Sequence, residues 1–272
     1  RAAPGTEVTV HLAGRTASAE TGEDGTWRVR LDPVSTPGPH TLVMSGGGQT
    51  VAAEDVLVGE VWLASGQSNM AWPLAQSSGA EAAKARARYP RLRFFKVNIR
   101  RGVRPKDRVA GQWVEISPEN VRHYSAVAFY FAESLLSSLD RPIGIILSAV
   151  GGSPAETWTP YDTLRTIPEL AKAKNDWAAL HDTYPELEHN PEAVLAEWER
   201  ADREFRRRLT AYRRGEIPKQ PALSSPRPHR AIPGGHYNGM IHPLAPFAIR
   251  GVIWYQGEAN SMNSAGARRY AT

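Results

Sequence analysis

The sequence predicts an α/β protein built on a parallel sheet, preceded by a small antiparallel β module. Three apolar runs carry the sheet: Val56–Ala64, Ile143–Val150 and Gly251–Tyr255. Each has about the length of a strand and little polar alternation, the pattern of parallel strands covered on both faces. The first 54 residues differ, because their apolar residues alternate with polar ones as in half-buried antiparallel strands.

In that first segment Val8, Val10 and Leu12 alternate, then Trp27, Val29 and Leu31, then Leu42 and Met44. Ala13-Gly14, Glu23-Asp24-Gly25, Pro37-Gly38-Pro39 and Gly46-Gly47-Gly48 supply the turns. Such a series predicts a β-sandwich or part of one. The segment is short for a complete sandwich, so residues 1–54 read as a packed-on or incomplete module.

Residues 55–272 read as one α/β domain. Val56–Ala64 is its first strand, Glu81–Arg88 an alanine-rich helix and Leu92–Val97 a further strand. Tyr124–Leu139 is helical, with Val127, Phe131, Leu135 and Leu139 on one face, and Asp140-Arg141-Pro142 ends it before the Ile143 strand. Residues 160–215 carry helix signals alone and read as an insertion of two main helices, Pro168–His181 and Pro191–Arg214. Leu195, Trp198, Phe205, Leu209 and Tyr212 form an apolar stripe on the second. Ile217–Pro233, rich in Pro and Ser, reads as a long loop.

Composition sets outer bounds. A chain of 272 residues holds one large domain, or one large and one small. The 41% hydrophobic content, with eight Trp, argues for a packed core rather than disorder. The absence of Cys excludes disulfides, thiolate metal sites and a Cys nucleophile. The net charge of +5 is carried mostly by Arg, much of it between Arg200 and Arg214, and reads as a solvated surface. No basic strip interleaved with aromatics points to nucleic acid. No run has transmembrane length, no phosphate loop or paired-His metal motif occurs, and no cofactor is expected. The chain opens on Arg1, which leaves room for a preceding piece.

The chemistry gathers at the strand ends. The first run leads into Ser65-Gly66-Gln67-Ser68, a tight turn that would present a hydroxyl at the mouth of the sheet. The second leads into Gly151-Gly152-Ser153-Pro154, the third into Gln256-Gly257-Glu258. Sites in open α/β sheets form outside the carboxyl ends of the strands, so these groups should converge.

Four motifs together resemble the sialate O-acetylesterase family of the SGNH-type hydrolases. They are Gly66-Gln67-Ser68-Asn69-Met70, Gly151-Gly152-Ser153-Pro154-Ala155-Glu156-Thr157-Trp158, Tyr237-Asn238-Gly239-Met240-Ile241 and Trp254-Tyr255-Gln256-Gly257-Glu258-Ala259-Asn260. The resemblance implies an SGNH-type three-layer fold. It implies an esterase that removes acetyl groups from acetylated sialic acid, with acetylated xylan or another glycan ester as the alternative. A binder of acetylated glycans without turnover is the alternative of another class.

The resemblance makes Ser68 the nucleophile. Backbone N–H groups of Ser68 and of Gly151 or Gly152, with the Gln256 side-chain amide, become the oxyanion donors. Gln67 is a supporting or substrate-binding residue, and Asn69 and Asn238 are loop-fixing or sugar-facing. Glu258 bonds to the Ser68 loop or the substrate, or holds its own loop. The family's general base is a His in an Asp-x-His-Pro-like motif near the C-terminus, which this sequence does not contain. His236 and His242 read as loop or substrate-contacting residues rather than substitute bases. The chain is therefore expected to be a fragment ending before that motif. The resemblance also points to an exported or periplasmic location, with the cytoplasm as the alternative.

Overall fold

Two sheets organise the chain in the structure, a computed structural model that describes residues 1–168, 171–221 and 232–261. The first sheet is antiparallel, in the order β2-β1-β3-β4. Its strands are β1 (Glu7–Leu12), β2 (Arg15–Glu20), β3 (His40–Gly46) and β4 (Gln49–Val56). Val8 and Val10 bury the inward positions of β1, two residues apart as the pleat requires. Ala13-Gly14, both at positive φ, close the β1–β2 hairpin.

This is one four-stranded sheet and not two facing ones. The strand expected over Trp27–Leu31 does not form. Thr26 is folded onto Asp24, whose carboxylate accepts from its backbone N–H at 2.9 Å and its hydroxyl at 2.8 Å, and the segment that follows joins no ladder. β2 and β4 occupy sequence that shows little apolar patterning. Their side chains are small or exposed, and pairing with β1 and β3 holds them.

The second sheet has the order β7-β6-β8-β5-β9. It comprises β5 (Glu60–Gly66), β6 (Tyr89–Lys96), β7 (Trp113–Ile116), β8 (Ile143–Ala149) and β9 (Gly251–Tyr255). β6, β8, β5 and β9 run parallel, whereas β7 pairs antiparallel with β6 at one edge. β8 is buried along nearly its whole length, as its unbroken apolar run predicts. β9 departs from that expectation: Val252 is 51% and Trp254 47% exposed, because β9 forms the other edge of the described sheet.

Helices α1 (Ala80–Arg86) and α2 (Ala126–Ser138) cover one face. Ser125 caps α2 by accepting from the Ala128 N–H at 3.0 Å. Phe129 and Ala132 then pack with Ile143, Ile145 and Leu147 of β8 and with Ala64 of β5. On the other face Leu63, Ile146 and Val150 meet Trp158 and Met240, the latter from a π-helical turn over Tyr237–Ile241.

Between β8 and β9 lie α3 (Tyr161–Leu164), α4 (Ala171–Thr183), α5 (Glu186–His189) and α6 (Pro191–Arg213), and α7 (Glu258–Ser261) follows β9. Asn190 caps α6 and Pro191 occupies its first turn, both favoured starts. Leu195 and Trp198 pack with Trp177, Leu187 and Ile232 in a satellite core. Among the described residues, that core takes Leu195 and Trp198 from the apolar stripe expected along α6, and Tyr212 is 38% exposed. Most of the loop expected over Ile217–Pro233 lies outside the described residues. Among the described residues, no helix is long and apolar enough to cross a membrane.

Two predictions follow from this packing. Gly66 has φ 134°, and a Cβ there would overlap the Tyr255 carbonyl oxygen. Gly66→Ala should cost about 2–4 kcal/mol, read as a lower urea midpoint at unchanged slope. At Gly257 a Cβ would meet nothing within 4 Å among the described residues, so Gly257→Ala should leave the midpoint nearly unmoved.

The second prediction concerns Glu133 of α2. Its carboxylate accepts from Arg86 at 2.7 and 2.9 Å and from the Tyr89 hydroxyl at 2.6 Å, tying α1 and β6 to α2. Arg86 above all holds the Glu133 carboxyl below its ordinary value of 4.5. A depressed carboxyl stabilises the fold above the unfolded value, and this is lost as pH falls through the folded one. Denaturation series between about pH 6 and pH 3 should therefore show a shallower acid decline in Glu133→Gln than in the parent.

Candidate active site

The register of the parallel sheet brings its three polar loops together. Gly66 pairs with Ala149 of β8 on one side and Tyr255 of β9 on the other. The Val150 N–H donates to the Gly66 carbonyl at 3.0 Å, and the Gln67 N–H donates to the Tyr255 carbonyl at 2.9 Å. The loops after β5, β8 and β9 thus leave the sheet at one level.

Ser68 is exposed at this edge, while its neighbour Gln67 is buried. Gln67 Oε1 accepts from the Ala259 N–H at 3.2 Å, tying the serine loop to α7. Asn69 Nδ2 donates to Glu258 Oε1, a second tie between the same loops. Glu258 therefore meets the Ser68 loop, one of the roles open to it from sequence.

Gly151 lies against the serine: a Cβ built there would stand 3.6 Å from Ser68 Cβ. Gly152 faces open space. Among the described residues, no acceptor takes the backbone N–H of Ser68, Gly151 or Gly152. The turn is braced from behind. Ser153 Oγ donates to the Val150 carbonyl at 2.7 Å and accepts from Trp158 Nε1 at 2.8 Å.

The Gln256 amide donates to the Ser153 carbonyl at 3.3 Å and to Asn260 Oδ1. Asn260 is the hub of this corner. Its Oδ1 also accepts from the Ala155 N–H at 2.9 Å, and its Nδ2 donates to Glu156 Oε2 at 3.0 Å. Asn260 and Glu156 stand in the motif stretches, yet nothing in the sequence marks them as partners. The pairing needs the loops after β8 and β9 side by side, which only the strand order provides.

Asn238 is buried, and its amide donates to the Gly102 and Val103 carbonyls, both at 3.0 Å. It fixes the π-helical turn to the chain after β6. His236 is buried with its ring stacked on Trp158, centroids 4.8 Å apart. His242 Nδ1 lies 3.1 Å from the Lys106 carbonyl, which makes that nitrogen the protonated one. Among the described residues no histidine hydrogen-bonds Ser68, and no group of three or more His, Asp or Glu is placed to hold a metal.

A cavity of about 360 Å³ opens beside the glycine turn. Its lining includes Gly151, Gly152 and Ser153 together with Glu199, Asp202, Arg203 and Arg206 of α6. The helical pattern of α6 is plain in sequence, but what its charged face opposes is not.

No protein-family model matches the chain. It is 31% identical over 255 residues to the sialate O-acetylesterase of Rattus norvegicus, covering 88% of this chain and 43% of that protein. It is 29% identical over 278 residues to the sialate O-acetylesterase of Homo sapiens, covering 94% of this chain and 44% of that protein. The chain is similar to sialate O-acetylesterases over this stretch. A carbohydrate acetylesterase from Xanthomonas citri matches its structure with a TM-score of 0.70 at 33% identity, over 97% of this chain and 47% of that one. The chain thus spans less than half the length of the esterases it matches.

The corner around Asn260 yields a test. Asn260→Ala strands the Glu156 carboxylate, the Ala155 N–H and one Gln256 hydrogen, at a cost of about 1–3 kcal/mol in denaturant unfolding. Asn260→Asp keeps the acceptor but sets a second carboxylate beside Glu156. Its deficit relative to the parent should therefore grow as pH rises through the carboxylate range.

Proposed function

We propose that this chain carries the nucleophile and oxyanion elements of a carbohydrate O-acetylesterase acting on acetyl esters of sialic acid. The observation that supports this most is the placement of Ser68 at the carboxyl end of β5, against Gly151 and inside a motif that resembles the sialate O-acetylesterase family. Residues 1–54 then form a module ahead of the esterase domain 55–272, and the helices within 160–215 an insertion into it. By resemblance to its family the protein is exported or periplasmic. Its partner is an acetylated sugar or glycan, and neither nucleic acid nor a membrane enters the reading.

In this reading Ser68 Oγ attacks the acetyl carbonyl carbon while a general base removes its proton. The resemblance assigns that base to a histidine of an Asp-x-His-Pro-like motif. The tetrahedral oxyanion forms next to the backbone N–H groups of Ser68 and of Gly151 or Gly152. It then collapses, the sugar oxygen leaves with a proton, and water releases acetate from the acetyl-serine. Gln256 can join as a donor because its bond to the Ser153 carbonyl is long at 3.3 Å. A charged oxyanion is a stronger acceptor than that carbonyl and would compete for the same hydrogen.

Acetate release from O-acetylated sialic acid, compared with acetylated xylan, tests both the reaction and the sugar. Ser68→Ala should abolish release and labelling by a fluorophosphonate probe. Undiminished activity in that variant would remove Ser68 from the mechanism. Gln256→Ala should lower kcat by about 10²–10³ at nearly constant KM. A change confined to KM would make Gln256 a sugar contact instead. Binding of acetylated glycans without acetate release would favour the non-catalytic reading.

A further inference from the structure

The wall that α6 contributes to the cavity carries more charge than ester hydrolysis requires. Glu199, Asp202, Arg203 and Arg206 share one face of the helix and line the same cavity as Gly151 and Gly152. Gly151 in turn abuts Ser68, so a ligand in this cavity lies beside the nucleophile. Leu195 and Trp198, earlier on α6, anchor the helix in the satellite core. The charged face is therefore presented from a rigid element rather than a loop.

Its charges are arranged as well as numerous. Arg206 donates to Asp202 from Nε at 2.7 Å, which leaves the outer edge of its guanidinium outside that bond. Arg203 approaches Glu199 only to 4.0 Å, and Arg101, also on the cavity, lies 3.8 Å from Glu199. The Arg203 and Arg206 side chains are 71% and 60% exposed, so both reach solvent in the cavity. Among the described lining residues, three guanidiniums stand with two carboxylates.

We infer that this wall is a carboxylate-recognition subsite, in which Arg203 and Arg206 hold the carboxylate of an acidic sugar while its acetyl ester lies at Ser68. The inference rests on the sialic acid reading above and names the part of that substrate the cavity selects. A guanidinium edge matches a carboxylate in a bidentate geometry that a neutral sugar cannot use. Two arginines suit a monocarboxylate, and Glu199 and Asp202 beside them oppose a more highly charged anion. The volume falls within the range of small-ligand pockets.

The experiment titrates the protein with N-acetylneuraminic acid and with its methyl ester, which has the same shape without the charge. The acid should bind about tenfold more tightly than the ester, a difference of about 1.4 kcal/mol. Arg203→Gln and Arg206→Gln should each bring that ratio close to one, mainly by weakening the acid. Arg207→Gln, on a residue paired with Glu204 and outside the cavity lining, should keep the parent ratio. Because Arg206→Gln also removes a hydrogen bond to the buried Asp202, its thermal unfolding is followed alongside, and Arg203→Gln carries the test if it unfolds. Equal binding of acid and ester by the parent, no binding of either, or a parent-like ratio in Arg203→Gln overturns the subsite. Acetate release by the parent is scored separately. Release with no preference for the acid would keep the esterase and remove the subsite. Arg203-dependent binding of the acid without release would keep the subsite and remove the esterase.

Discussion

The site depends on the register at the end of β5. Gly66 is hydrogen-bonded through its carbonyl to Val150, and the next N–H is bonded to Tyr255. These two bonds level three parallel strands so that a serine loop, a glycine turn and an amide-bearing loop start from one edge. Slipping β9 by one residue would put the opposite set of its side chains on each face and move Gln256 off the corner. Gly66 makes the arrangement possible because any side chain there would collide with the Tyr255 carbonyl.

What the register brings together, side-chain amides then fix. Gln67 reaches Ala259, Asn69 reaches Glu258, and Asn260 joins Gln256 to Ala155 and Glu156. Each bond alone contributes about 0.5–1.5 kcal/mol. Their value here is geometric. They bridge loops that share no strand, and they leave the backbone N–H groups of Ser68, Gly151 and Gly152 without an acceptor among the described residues. Donors held ready before charge develops are what electrostatic stabilisation of an oxyanion requires.

Sequence patterning revealed the parts of the fold whose burial is complete. β8 is apolar at nearly every position and buried along nearly its whole length, whereas on α2 the fully buried residues are Ala128, Phe129 and Ala132, and the expected face of Val127, Phe131, Leu135 and Leu139 packs beside them half-buried. β2 and β4 escaped notice because they contribute backbone pairing more than buried side chains, and pairing leaves little trace in composition. Trp27 misled in the other direction: its alternation with Val29 and Leu31 looks like a strand, but no ladder forms there. At the site, Ser68, the glycines and Gln256 stood out because each follows an apolar run. Asn260 and Glu156 carry no such local signal, since their meaning lies in contacts about 100 residues apart in sequence.

The α6 wall shows the same limit at larger scale and suggests how labour is divided in this fold. In the proposed reading the strand ends supply groups that any acetyl ester would use, because the ester carbonyl is the same whatever sugar bears it. Selecting the sugar would need contacts away from that carbonyl, and the proposed subsite assigns these to an element outside the sheet. α6 can serve because its two ends do different work. Leu195 and Trp198 hold it by burial, while one and two turns later Asp202, Arg203 and Arg206 face the cavity. A buried Asp202 would be costly alone, and Arg206 beside it offsets that cost while being itself held in place. A guanidinium already oriented by a carboxylate loses less freedom when a ligand arrives. In the proposed subsite Asp202 thus holds Arg206 in place before a ligand arrives, and a carboxylate would meet a guanidinium already oriented.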